Sequence, residues 1–303
     1  MNNIEFSVII PVYKSVDTLQ PLFEGVKAIM SEMKKTYEVI FIEDSGSKLS
    51  WQELLRLKTT YPNELTIIKL SRNFGQNGAT VCGIDQSKGR KIITIDDDLE
   101  IHPREIKKLI EKHQNNEADV VFGNYKSKTS LFREIGAKTI KWIFNKSQGG
   151  ASIGSSFRLI DKHIVDRLKF HSQDHLFINQ VINWYTLNYQ YVEVEHQIRE
   201  NGSSGYSFLN LVGLAIRLLF YYTNIPLRIT IYSCILAFTC CLGLTGYYYF
   251  QHFYRDGDFN ILSIILILGL ALILGSISVL GVYINRIYIS RVKRPNYAVK
   301  YKL

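Results

Sequence analysis

The sequence predicts an α/β domain on a mainly parallel sheet, followed by two membrane-spanning helices and a basic tail. Three observations carry this. Short apolar, β-branched runs alternate with helix-patterned stretches over the front of the chain, as in a parallel sheet covered on both faces. Two uncharged apolar runs of 22 and 24 residues, Ile229–Phe250 and Ile261–Ile284, lie near the end. The charges that flank those runs are unequal in sign and number.

The first strand is expected at Phe6–Tyr13, an apolar run interrupted by Pro11. Glu38–Ile42, Leu65–Leu70, Lys91–Ile95 and Asp119–Phe122 read the same way, with helical stretches such as Thr18–Met33 and Pro103–Gln114 between them. In open parallel sheets ligands bind beyond the carboxyl ends of the strands, so functional residues are expected just after these runs. The segment from Phe132 to Gly205 adds helical pieces and a strand at Tyr189–Val194, closing a domain over residues 1–205. Residues 206–226 are apolar and aromatic with one charge, Arg217, and read as an amphipathic helix lying in the membrane interface.

An apolar run of roughly 18 residues or more crosses the hydrocarbon core as a helix, which places spans at 227–250 and 261–284. The segment 285–303 holds six Lys and Arg and no acid, whereas the loop Gln251–Asn260 holds one Arg and two Asp. Basic residues stay on the cytoplasmic side, so both termini are expected in the cytosol, and no signal peptide is expected before the first strand. The net charge of +9 fits a protein lying against anionic lipid; with no nucleic-acid motif, a nucleic-acid partner is not expected. Cys82, Cys234, Cys240 and Cys241 lack metal-ligand spacing and read as filler.

The sharpest chemical signal is Ile95-Asp-Asp-Asp-Leu-Glu100, directly after a strand. Adjacent carboxylates repel, and a hard divalent cation, Mg²⁺ or Mn²⁺, relieves that cost while bridging the phosphates of a nucleotide. Asp96 and Asp98 are the expected ligands, with Glu100 as a third. Glu43-Asp44 follows another strand, where an acid can accept from a base or ribose, although Asp-Ser-Gly-Ser is also ordinary turn composition. Arg72, in Ser71-Arg-Asn-Phe-Gly75, is equally a phosphate partner and a surface arginine on local grounds.

Pro11-Val-Tyr13, Glu43-Asp44, Ser71–Gly75 and Asp96-x-Asp98 occur in the order and spacing of the family 2 glycosyltransferases, which the chain resembles. Ser156-Phe-Arg-Leu-Ile-Asp161, His196-x-x-Arg199-x-x-Gly202-x-Ser204-x-Tyr206 and the ending Arg294-Pro-x-Tyr297 are similar to the polyprenyl-phosphate, dolichol-phosphate mannose synthase-like branch. The resemblance implies a GT-A, Rossmann-like nucleotide-sugar fold and an integral protein of the bacterial plasma membrane, with relatives that often assemble as homo-oligomers. It implies that Pro11, Tyr13, Glu43, Asp44, Arg72, Asp96 and Asp97 bind the donor. Arg158 and Arg199 would face the phosphates, and Ser204 and Tyr206 would close over the site. Three positions depart from the pattern: Glu43 replaces an Asp, Gly205 replaces a Lys, and an Arg-x-x-Arg-Gly element is absent.

The activity so implied is inverting transfer of a hexose from a nucleotide sugar to a polyprenyl phosphate at the cytosolic membrane face. A phosphate monoester is already ionised near neutral pH, so positioning and charge neutralisation carry the step. A hydroxyl acceptor on a lipid-linked oligosaccharide would instead need a general base, for which Asp174 is the candidate. A non-catalytic membrane scaffold, the third reading, is disfavoured by the intact Asp96 and Asp98.

Overall fold

The computed structural model describes residues 4–124, 155–169, 178–196, 260–292 and 295–303, with scattered positions between 227 and 250. Two compact units divide the chain: Met1–Glu134 with Ala151–Ser203 and Lys293–Leu303, and Ile135–Gly150 with Ser204–Val292.

The first unit is an α/β domain. Its strands are β1 (Phe6–Val12), β2 (Tyr37–Glu43), β3 (Leu65–Leu70), β4 (Lys91–Thr94), β5 (Val120–Asn124), β6 (Arg158–Ile160), β7 (Tyr189–Glu193) and β8 (Val299–Lys302). Between them run α1 (Leu19–Glu32), α2 (Lys48–Thr60), α3 (Gly75–Gln86), α4 (Ile106–Asn116), α5 (Lys162–Lys169) and α6 (Ile178–Tyr185). They form one sheet of order β7-β5-β6-β4-β1-β2-β3-β8. The first four strands are parallel, as their unbroken apolar runs require. β6 enters antiparallel between β4 and β5, and β8 closes the far edge antiparallel to β3. The sheet is therefore mixed, and neither antiparallel strand was expected from the sequence. Three residues of β6 and an alternating Val-Lys-Tyr-Lys in β8 are too short a signal for periodicity to catch.

Both faces are covered. One core packs Val8, Ile10 and Phe41 against Leu22, Phe23 and Val26 of α1. The other packs Ile9, Ile40 and Ile42 against Ala79, Cys82 and Ile84 of α3. At Gly83 a Cβ would lie 2.4 Å from Ile9 Cγ2, so only glycine lets α3 come this close to β1 and β2.

The chain runs outward from β1 to β2 and β3, then returns to β4 on the other side of β1. This reversal is the topological switch point at which such sheets open a crevice. β1 and β4 pair only as far as Ile9 with Thr94. Pro11, which has no N–H to give, falls beyond that stretch and costs no bond to β4.

In the second unit α7 (Asn260–Val292) is one helix of 33 residues, roughly 50 Å long at 1.5 Å per residue. It contains the whole uncharged run 261–284 and exposes Leu266, Leu270, Ile273, Leu274, Ile277 and Leu280. Every described position between 227 and 250 is also helical. Among the described residues no helix is long and apolar enough to cross a membrane. The expected interfacial helix at 206–226 lies outside the described residues.

Candidate active site

The ends of β1 and β4 meet in the crevice through Asp97. Tyr13 N donates to Asp97 Oδ2 at 2.8 Å, and Thr18 Oγ1 donates to the Asp97 carbonyl at 2.5 Å. Lys14 and Leu99, beside this junction, both hold positive φ of 63° and 60°, a conformation that side-chain-bearing residues enter at a cost and that gathers at functional turns. Asp97, grouped with the donor residues on sequence, braces the two loops against each other. Tyr13 stands 53% exposed at the mouth.

Asp96 turns the other way. Its Oδ1 accepts from Gln76 Nε2 at 2.6 Å and its Oδ2 from Ser156 Oγ at 2.7 Å. Burial pushes its carboxyl above the usual range; these two hydrogen bonds oppose the shift and neighbouring Asp98 adds to it. Beside it, Arg158 is 4% exposed at the start of β6. Its Nη1 donates to Asn179 Oδ1 of α6, and its Nε has no partner. Burial lowers the guanidinium to about 10 and the charge of Asp96 opposes it, so it remains a cation at neutral pH. Gln76, Thr94, Ser156, Arg158 and Asn179, with Pro11, line a cavity of about 210 Å³. A larger cleft of about 430 Å³, between Glu5, Arg90 and Lys162, contains none of the residues that the sequence singled out for the site.

Asp98 Oδ1 accepts from Glu100 N at 3.1 Å, closing the turn at Leu99. Glu100, expected as a third metal ligand, lies 3.0 Å from His196 Nε2, where Ile101 and His196 form an antiparallel bridge. Among the described residues no group of three or more His, Cys, Asp or Glu is arranged to hold a metal. The donor set nevertheless fits a hard cation. Burial raises both Asp96 and Asp97, and Asp98 adds to each shift, so positive charge here relieves crowded carboxylates. Mg²⁺ and Mn²⁺ sites commonly use one or two carboxylates plus substrate phosphates.

The second acidic pair is turned inward. Glu43, expected in the nucleotide pocket, is fully buried. Its Oε1 accepts from Ser45 N, Ser45 Oγ and Ser47 N at 3.0, 2.5 and 3.1 Å, with Lys69 Nζ 3.8 Å from Oε2. Glu43 thus holds the loop that starts α2 through Oε1, while its buried Oε2 has no hydrogen-bond partner. Asp44, 4% exposed, accepts from Phe74 N at 2.6 Å through Oδ1. Burial raises its carboxyl despite the Phe74 and Gly75 amides, and its position fixes the N-terminus of α3 beside the crevice. The exposed Arg72 guanidinium lies 4.6 Å from the Phe74 ring centroid.

Arg199, Asp174, Ser204 and Tyr206 lie outside the described residues. Thr94, Thr80, Asn77 and Asn179, all lining the cavity, had no sequence signal, since a lone Thr or Asn acquires a role only through a partner distant in the chain.

The family model described as "Glycosyl transferase family 2" matches residues 7–164. The undecaprenyl-phosphate 4-deoxy-4-formamido-L-arabinose transferase of Pectobacterium carotovorum subsp. carotovorum is 32% identical over 302 residues, covering 97% of this chain and 92% of that protein. The protein of the same name from Shewanella sediminis is 31% identical, covering 98% and 92%. Among solved structures, mannosyl-3-phosphoglycerate synthase from Rubrobacter xylanophilus superposes with a TM-score of 0.50 at 12% identity, covering 71% of this chain and 74% of that one, a likeness of fold.

Proposed function

The chain belongs to glycosyltransferase family 2, and from that premise we propose that it transfers a sugar from a nucleotide donor to a polyprenyl phosphate. The observation that carries the reading is full-length likeness, over 97% of the chain, to a transferase named for undecaprenyl phosphate. The crevice at the switch point, lined by Pro11, Gln76, Asp96 and Arg158 with Tyr13 following β1, supports it.

The acceptor phosphate oxygen attacks the anomeric carbon as the bond to the nucleoside diphosphate breaks, with inversion and with the electron pair leaving on the diphosphate. A divalent cation held by Asp98 and Asp96, when bound, supplies charge neutralisation for that leaving group. Arg158 offsets the charge of Asp96 from beneath, Asp97 keeps the β1 and β4 loops together, and Asp44 keeps the α3 amides in place. The base and ribose lie against Pro11 and Tyr13, and Arg72 reaches a phosphate. The roles that the resemblance implies for Arg199, toward the acceptor phosphate or the donor diphosphate, and for Ser204 and Tyr206 in binding, remain part of this proposal. The hydroxyl-acceptor alternative has no such support.

The two apolar runs are membrane helices in this reading. The place of β8 in the sheet of the catalytic unit is consistent with two crossings and with both termini on the cytosolic side. That arrangement puts a soluble donor and a lipid acceptor at one cytosolic surface.

The test is to incubate membranes containing the protein with a panel of radiolabelled nucleotide sugars and extract the lipid. A single sugar released from a monophosphate lipid by mild acid is expected. A lengthened lipid-linked oligosaccharide would replace the phosphate acceptor with a hydroxyl, and no lipid label from any donor would sink the reading.

A further inference from the structure

The proposed reaction leaves the chain's ending, Arg294-Pro-Asn-Tyr297 and β8, without a role. Residues 295–303 belong to the catalytic unit, and four contacts tie them to the segment 71–86. Ser71 N donates to the Ala298 carbonyl at 2.8 Å. The Asn296 carbonyl oxygen lies so close over α3 that a Cβ on Gly78 would come within 2.7 Å of it. Tyr297 Oη donates to Asp85 Oδ2 at 2.9 Å, its ring packed against the core that includes Ala79 and Cys82. Lys302 Nζ donates to Gln86 Oε1 at 2.6 Å.

The same segment carries much of the donor side of the crevice. Arg72 is on it, Phe74 N bonds Asp44, and Gln76 holds Asp96. The sheet holds α3 along one face, while the helix's own sequence makes a weak helix. It is 12 residues long, three of them glycine, and each glycine weakens a helix by about 1 kcal/mol relative to alanine. One side lies on β1 and β2 through Gly83; the tail holds another through Gly78 and Asp85. Where β8 and Tyr297 sit therefore sets where Gln76 and the Phe74 amide sit.

We infer that the C-terminal strap, residues 295–303, is a positioning element of the donor site, with Tyr297 fixing α3 through Asp85. This rests on the reading of the crevice as a nucleotide-sugar site. It extends that reading by making the segment that directly continues α7 part of donor recognition, so that the membrane anchor and the donor pocket share one piece of chain. Tyr297 touches no reacting atom in this scheme; it acts through α3.

The experiment uses the full chain in detergent or nanodiscs, with UDP and GDP as probes, each with Mn²⁺, followed by steady-state kinetics. Tyr297→Phe, which keeps the ring and loses one hydroxyl, should weaken the nucleotide that the wild type binds by about tenfold, since small misplacements remote from the chemistry cost this much or more. The donor KM should rise in step, while the acceptor KM and the kcat at saturating donor stay unchanged. Asp85→Asn should act alike, and the double variant should lose no more than either single one, the mark of one shared interaction. Unchanged nucleotide affinity in Tyr297→Phe would overturn the inference, as would a fall in kcat at an unaltered donor KM. Gly78→Ala is a second probe of the same contact and should also raise the donor KM. A wild type that binds neither nucleotide would instead overturn the donor-site reading itself, and this shows before any variant is made.

Discussion

Three consecutive carboxylates in this crevice do three different things because their neighbours differ. Asp96 accepts from Gln76 and Ser156 beside a buried arginine, Asp97 accepts from Tyr13 N, and Asp98 closes the Leu99 turn. Asp98→Ala is expected to abolish Mn²⁺-dependent nucleotide binding and to lower kcat/KM by about 10²–10³-fold, the usual cost of losing a preorganised electrostatic partner. Titration calorimetry with and without Mn²⁺ checks it, and metal-dependent binding that survives would remove Asp98 from the ligand set. Arg158→Met acts differently: it removes the buried guanidinium that donates to Asn179 Oδ1 and lies near the half-buried Asp96. Stability should fall by about 1.5–3 kcal/mol, the range for a hydrogen bond made by a charged group, and thermal unfolding in detergent measures it. Glu43→Gln keeps the shape and the acceptor for Ser45 and Ser47, so donor affinity should be nearly unchanged. A nucleotide contact at Glu43 would show as lost affinity.

At the scale of elements, α3 packs closely on the sheet at Gly83. Gly83→Ala sets a methyl against Ile9 and should cost about 1–3 kcal/mol, the range of overpacked cores; urea unfolding of the variant reads it. On the other sheet edge, His113 of α4 lies 3.1 Å from Asp161 Oδ2, at the end of β6. Burial first, then the charge of Lys91, hold the imidazole below its ordinary value in spite of Asp161. A folded pKa below the unfolded one means the unfolded chain takes the proton first. Stability should therefore decline as pH falls through about 6.5, the unfolded value. Asp161 is also held low: burial raises it, and the hydrogen bond from His163 with the charge of His113 outweighs burial. Its share is present above the unfolded carboxylate range and is lost in stronger acid. His113→Gln should flatten the first decline alone, read as melting temperature against pH; an unchanged slope would discard His113 as its source.

For the whole molecule, the charge asymmetry about the two apolar runs and the place of β8 in the catalytic sheet make one statement about topology. A cysteine at Asp256, in the loop between the runs, should react with a membrane-impermeant maleimide in intact cells. A cysteine at Lys300 should react only after lysis. Labelling of both positions in intact cells would reverse the tail, and labelling of neither would bury the loop.

The chain by itself determined the α/β class, the positions of the first five strands to within a residue or two, the family and the acidic cluster. These rest on local patterns: unbroken apolar runs, glycines and polar residues at strand ends, and motif order. Tertiary structure alone decided which acids are available. Glu43 and Asp44 are neighbours of like chemistry in sequence, yet the first is turned into its own loop and the second onto α3. Glu100 reaches across 96 residues to His196, and Tyr297 across 212 to Asp85. No window along the sequence contains such pairs. The first pair sits at the bridge of Ile101 with His196 and the second beside β8, and a bridge or a strand of four residues is fixed by its partners rather than by its own pattern.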